Sequence, residues 1–213
     1  MYNLAVRSVI ILFAKSPEPG RVKTRLADRL GAEAAARLYE AFVRDVLETL
    51  YSLAGAADLE LHTDIPTDAW PEAAVPRRLQ AEGDLGAKMF HALERALREG
   101  RPRAMIAGSD APTLPAGHVE KLLASDADVA LGPTEDGGYY AIGCQRVHPA
   151  MFDGVRWSQP SSLEETARAA RACGLTVVLG ESWFDVDGPE DLERLLQSGR
   201  VPRHTARIMD RGP

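Results

Sequence analysis

The stretch Ser8-Val-Ile-Ile-Leu-Phe-Ala14-Lys15-Ser-Pro-Glu-Pro-Gly20-Arg21-Val-Lys23-Thr-Arg25 decides the reading of the fold. Its first seven residues are almost wholly apolar and rich in β-branched side chains, the pattern of a strand buried on both faces. A proline- and glycine-punctuated loop follows, then closely spaced cations. Working outward, apolar residues at Leu38, Phe42, Val46 and Leu50 recur at helical spacing between about Ala32 and Leu53. Leu59–Thr63 reads as a strand, and residues 64–78, with Pro66, Pro71 and Pro76, read as irregular. Gly83-Asp84-Leu85-Gly86 opens a second helix, and Arg103–Ala107 is a short strand ending at Gly108-Ser109-Asp110. Pro115 stands at the first turn of the next helix. Val129–Leu131 and Tyr139–Ile142 flank the turn-rich Glu135-Asp136-Gly137-Gly138. Ser162 and Glu165 are spaced as a capping box for a helix ending near Gly174, Leu175–Leu179 is a strand, and Gly188–Gln197 a last helix. Strands and helices alternate, which implies an α/β domain with a mostly parallel sheet covered on both faces. The hairpin-like stretch over residues 129–142 implies one antiparallel part.

Bulk properties narrow the function. A chain of 213 residues fits one domain, read here as residues 1–197 followed by a basic tail at 198–213. The longest apolar run, Val9–Ala14, is too short for a membrane span or a signal peptide. The two cysteines, Cys144 and Cys173, give neither a zinc site nor a disulfide framework, so a cytoplasmic protein is expected, with both packing as small hydrophobes. A net charge of -6 argues against a nucleic-acid binder, yet residues 15–29 carry Lys15, Arg21, Lys23, Arg25 and Arg29 against Glu18 and Asp28. A local basic loop in an acidic protein suits a small anion.

In an open α/β sheet, ligands bind beyond the carboxyl ends of the strands; three polar segments follow strands in that way, and the turn-rich stretch from Glu135 is a fourth candidate. The first is the loop just quoted. It lacks the glycine that a Walker loop puts before Lys-Thr, since Val22 stands there, and it lacks the three spaced glycines of a dinucleotide fingerprint. Its glycine and cations can still wrap phosphates, and its alternative is a solvated basic loop. In the second, Asp110 at a strand end is suited to an oxygen-ligated divalent cation, or to a turn cap. In the third, Asp185 and Asp187 alternate along extended chain and so point the same way, although Asp187 with Glu190 is also a good helix start. In the fourth, Asp136 could orient an acceptor, reach the metal through water or act as a base. Asp84 could cap a helix or touch a nucleotide. The five histidines show no metal spacing and most read as surface residues. Ser109 lacks a histidine partner, so a hydrolase triad is not expected. Trp157 and Trp183 read as core or pocket wall.

Together, Phe13–Leu26, Gly83–Gly86, Gly108–Pro112, Leu131–Tyr140, Trp157-Ser158 and Asp185–Leu192 resemble the DUF2064 group. That group is often labelled as glycosyltransferases, with some members linked to arsenosugar biosynthesis, and the resemblance spans residues 8–196. It is placed in the nucleotide-diphospho-sugar transferase superfamily, which implies a GT-A-like fold. The pattern is also similar to 2-phospholactate guanylyltransferases, which share a Lys-Thr-Arg-Leu loop and a terminal Asp-x-Asp-x-Pro-x-Asp-Leu segment. By that similarity Lys23 and Arg25 hold nucleotide phosphates, and Asp110 with Asp185 or Asp187 holds Mg²⁺ or Mn²⁺.

The expected function is glycosyl transfer from a nucleotide-diphospho-sugar to a small-molecule acceptor, with Asp136 positioning or deprotonating the acceptor hydroxyl. The alternative is nucleotidyl transfer from an NTP to a phosphorylated or carboxylate acceptor, with Lys23 stabilising the transferred phosphoryl. A third reading is a catalytically silent nucleotide-binding module. The phosphate-binding candidates are Lys15, Gly20, Arg21, Lys23, Thr24 and Arg25, joined by Asp84, Gly86 and Ser109. No nucleic acid or membrane partner is expected, and a homodimer is left open.

Overall fold

The computed structural model describes residues 6–210. Seven strands form one sheet in the order β3-β2-β1-β4-β6-β5-β7. The strands are β1 (Ser8–Ala14), β2 (Ala57–Thr63), β3 (Arg77–Leu79), β4 (Ala104–Ala107), β5 (Val129–Pro133), β6 (Tyr139–Cys144) and β7 (Val177–Leu179). Only β6 runs antiparallel to its neighbours, β4 and β5; the remaining pairings are parallel. The mixed, mostly parallel α/β sheet expected from the sequence is therefore present, with its antiparallel part where the hairpin-like stretch lies. The irregular stretch expected over residues 64–78 is interrupted at its end, where residues 77–79 add a short exposed edge strand to β2.

The helices are α1 (Thr24–Leu30), α2 (Ala32–Tyr51), α3 (Leu85–Arg98), α4 (Ala116–Leu123), α5 (Ser162–Ala172), α6 (Pro189–Gln197) and α7 (Arg203–Asp210). Alternation along β1 divides the core. Ile10 and Leu12 face a cluster with Val43, Val46, Leu50, Leu114 and Val119, from α2 and from the region of α4. Val9, Ile11 and Phe13 face the other side, packing with Met89, Leu93, Ala167 and Ala170 of α3 and α5. Each fully buried aliphatic side chain there contributes about 1.5–3 kcal/mol by leaving water, which is why a strand apolar on both faces has to be central. A third cluster, Leu26, Leu38, Phe42, Val186, Leu192 and Leu195, joins α1, α2 and α6, with Ile208 and Met209 of α7 against it.

Several helix starts differ from the sequence expectation. Ser161 precedes α5 and no side chain caps it. Glu165 instead accepts from the Arg156 backbone N–H and Nε, both at 2.8 Å, because a guanidinium is a stronger partner than a cap amide. At α6 it is Asp191, not Glu190, that reaches back, accepting from Gly188 N at 2.8 Å and Asp187 N at 3.1 Å. That leaves the Asp187 carboxylate free to turn elsewhere. Pro115 is the residue just before α4 rather than its first. Within the segment read as a basic tail, α7 is tied to α2 by Asp45. This buried carboxylate accepts from His204 N at 2.9 Å, Thr205 N at 2.9 Å and Thr205 Oγ1 at 2.7 Å.

Candidate functional site

A cavity of about 830 Å³ opens at the carboxyl ends of β1 and β4, where the topology rule for open α/β sheets puts ligands. Eight of the sequence candidates line it: Lys15, Arg21, Lys23, Thr24, Arg25, Ser109, Asp110 and Asp187. Its wall holds five cations, the fifth being Lys88, against three carboxylates, Asp64, Asp110 and Asp187.

The basic loop is held by its own backbone and by Asp64, the residue after β2. Ser16 N–H donates to Asp64 Oδ1 at 2.7 Å, and Arg21 reaches Asp64 at 3.2 Å and Glu18 at 2.7 Å. The Glu18 hydrogen bond is the main influence raising the Arg21 pKa. Tyr39 of α2 then links two strand ends with one hydroxyl: it accepts the Lys15 N–H at 2.8 Å and stands 2.9 Å from Ser109 Oγ. Burial is the largest influence on that phenol and keeps it neutral.

Lys23 stands at the centre. Its backbone is left-handed (φ 45°, ψ 45°) just before α1, and its side chain is only 4% exposed. The ammonium donates to Asp110 Oδ1 and, at 2.6 Å, to Asp187 Oδ1, and lies about 6 Å from the rings of Tyr39 and Phe42 (6.0 and 5.9 Å). Burial alone would lower its pKa, but the two carboxylates outweigh burial and raise it, so the group is a fixed cation. Asp110 and the 185–187 segment meet through the backbone, since Val186 N–H donates to the Asp110 carbonyl at 2.8 Å. Val186 is fully buried, and Asp185 and Asp187 stand on either side of it. Asp185 is pushed up to about 7, first by burial and then by the charges of Asp136, Asp187 and Asp110.

Such a set fits a divalent cation. The donors are carboxylate oxygens, two of them converge on one point already occupied by a positive group, and a third is crowded by negative neighbours. Asp110, Asp185 and Asp187 do not have three oxygens within 4.8 Å of one another; among the described residues the trio that does is Asp45, Glu48 and His204. That trio is better explained as packing, because both Asp45 oxygens are spent on α7 and Glu48 lies near Arg203 and His204.

Other candidates lie outside the cavity wall: Gly20, Asp84, Gly86, Asp136 and Asp185. Asp84 caps α3, accepting from Ala87 N at 2.9 Å. A side chain on Gly86 would sit 2.9 Å from Phe152 and from the Trp157 ring, so this glycine lets Trp157 pack on the start of α3. One oxygen of Asp136 is engaged by Thr134 Oγ1 and by Gly138 N–H at 3.0 Å, inside the turn. The histidine reading needs correction at His62, which is 3% exposed, stacked on Phe13 and bonded to Glu60. Lys88 was missed: the start of α3 was a candidate through Asp84 and Gly86, but the helical pattern counts Lys88 as an exposed polar position. Gln80, Trp157 and Ser158 also line the wall, the last with φ 59°.

Several known proteins resemble this chain. The family model described as uncharacterized protein conserved in bacteria (DUF2064) matches residues 39–159. A crystal structure from Desulfovibrio desulfuricans G20, described as a candidate nucleotide-diphospho-sugar transferase, is 35% identical with a TM-score of 0.86, covering 95% of this chain and 94% of that one. The fold is therefore that of the nucleotide-diphospho-sugar transferases. Two proteins named 2-phospho-L-lactate guanylyltransferase are also similar. The one from Haloarcula marismortui is 28% identical over 82% of this chain and 79% of its own length. The one from Methanocella arvoryzae is 29% identical over 84% and 77%.

Proposed function

We propose, from the premise that the chain belongs to the DUF2064 family, that it is a metal-dependent nucleotidyltransferase acting on a nucleoside triphosphate and a small phosphorylated or carboxylate acceptor. The observation that carries this is the charge of the cavity: five cations against three carboxylates, with Lys15, Arg25 and Lys88 in no ion pair among the described residues. With a divalent ion added, that wall suits a triphosphate better than the less charged diphosphate of a nucleotide-sugar. The two named guanylyltransferases support the same choice.

In this reading an acceptor oxygen attacks the α-phosphorus, the new P–O bond forms, and the bond to the bridging oxygen breaks with its electrons leaving on pyrophosphate. Lys15, Lys23 and Arg25 hold the phosphates and share the charge that grows on the leaving group. Asp110 and Asp187, with Asp185 beside them, would hold Mg²⁺ or Mn²⁺, which supplies further neutralisation of the phosphates. A phosphate or carboxylate acceptor is already an oxyanion and needs no base. Asp136 is then free to serve the turn that it already bonds.

Glycosyl transfer is the second reading, favoured by the description of the 35% identical structure; it needs Asp136 to reach an acceptor hydroxyl. The test is to incubate the protein with Mg²⁺ or Mn²⁺, panels of NTPs and nucleotide-sugars, and small phosphate- or carboxylate-bearing acceptors. Pyrophosphate release that Asp110→Asn abolishes, with the fold kept, is expected. Release of nucleoside diphosphate from a nucleotide-sugar, with none of pyrophosphate, would overturn it.

A further inference from the structure

We infer that Lys23 is an internal occupant of the metal position, so that a divalent cation gains Asp110 and Asp187 only when phosphate draws the ammonium away. The inference rests on the proposed metal and phosphate roles of this same cavity. Three observations carry it. The ammonium donates to both carboxylates at once, which satisfies two of its three N–H groups and neutralises the pair. The 4% exposed side chain is walled by Tyr39 and Phe42, so water offers it no competing shell. The carboxylates are far more open, 46% exposed at Asp110 and 44% at Asp187, so the far side of each is accessible to an entering ion.

A cation that enters beside Lys23 meets like charge at close range, and one that replaces it must find the ammonium another anion. The same cavity provides that place. Lys15, Arg25 and Lys88 line it without carboxylate partners among the described residues, so an incoming phosphate chain binds within the space that Lys23 also borders. The flexible methylene stem lets the ammonium turn from carboxylate to phosphate without moving the left-handed backbone that fixes its root. Metal and nucleotide then favour each other's binding through one side chain, and the coupling is reciprocal. Lys23 is in this respect a positioning residue for the metal as well as a phosphate ligand.

The experiment measures free Mn²⁺ by electron paramagnetic resonance while titrating the full chain, with no nucleotide present. Wild type is compared with Lys23→Met, Lys23→Gln, Asp110→Asn and the Lys23→Met/Asp110→Asn double variant, each checked for fold by thermal melting. Lys23→Gln keeps a hydrogen-bond donor near the carboxylates without neutralising them, and it serves should the Met variant fail to fold. Removing the ammonium is expected to tighten Mn²⁺ binding by roughly tenfold, within the usual range of coupling between sites, and the Asp110→Asn change is expected to abolish that gain. Equal Mn²⁺ affinity in wild type and both Lys23 variants, with binding still lost in Asp110→Asn, would overturn the occupant role and leave the metal site standing. Mn²⁺ binding that is absent from every variant, or indifferent to Asp110→Asn, would overturn the metal site itself.

Discussion

Replacing Tyr39 with phenylalanine removes a single oxygen, and the structure sets what that oxygen does. The ring is 3% exposed and stays packed in the core, so no large cavity opens. What is lost is the bond from Lys15 N–H at 2.8 Å and the bond with Ser109 Oγ at 2.9 Å. Each such bond contributes about 1 kcal/mol net, and a partner left buried without one costs about 1–3 kcal/mol. Ser109 is 4% exposed and bears that penalty, while Lys15 is exposed and recovers part of its bond from water. The sum is about 2 kcal/mol, which for a chain of this size lowers Tm by about 4–8 °C. The hydroxyl also sets the ends of β1 and β4, which carry Lys15 and Asp110. If half of the loss falls on the transition state, kcat/KM drops about fivefold. Differential scanning calorimetry and steady-state pyrophosphate release measure the two effects. An unchanged Tm with unchanged kcat/KM would refute the view that this hydroxyl ties the phosphate loop to the metal side of the site.

Three further outcomes are expected. Glu60 is buried, and although burial is the largest influence and acts upward, its bonds to His62 and Arg95 outweigh it and hold the carboxyl at about 2, against an ordinary 4.5. Since its folded pKa is depressed, that stability is full above pH 4.5 and is lost as pH falls toward 2, about 3 kcal/mol in all; Glu60→Gln should flatten that part of the stability-against-pH curve, and an unchanged acid limb in denaturant melts would contradict it. Gly137→Ala puts a methyl 2.0 Å from the Pro160 carbonyl oxygen at a backbone φ of +90°. It should cost about 3 kcal/mol or more and shift the Trp157-Ser158 wall, seen as a lowered Tm and weaker nucleotide binding. Asp45→Asn sets an amide against the backbone donors of α7, at about 2–3 kcal/mol. Amide exchange at His204 and Thr205 should speed up while Mn²⁺ binding is untouched; loss of Mn²⁺ binding would instead make Asp45, Glu48 and His204 a metal site.

Order and type of the main elements were legible because they rest on local periodicity. The double-faced, β-branched apolar pattern of Ser8–Ala14 reads as a buried strand and the 3.6-residue repeat from Leu38 to Leu50 as a long amphipathic helix, and both elements are present. The residues that line the cavity were nameable for a similar reason: cations crowded over residues 21–25, and carboxylates at 110 and 187, follow strands or extended segments in the chain, and Lys23, Asp110 and Asp187 do come together. Misread positions were those where a stronger partner competed with a local rule. Glu165 left its cap for Arg156, and Asp191 took the backbone amides that Glu190 was expected to serve, which released Asp187.

The sequence by itself determined the α/β order, the position of the basic loop after the first strand, and the carboxylates available to a cation. Only the tertiary structure decided that Lys23, 87 residues from Asp110 and 164 from Asp187, lies between them, that one Tyr39 hydroxyl joins two strand ends, and that Lys88 faces the same cavity. Those juxtapositions depend on which strands become neighbours in the sheet. Strand neighbours are chosen by the burial of two whole faces at once, a property no local window of sequence contains.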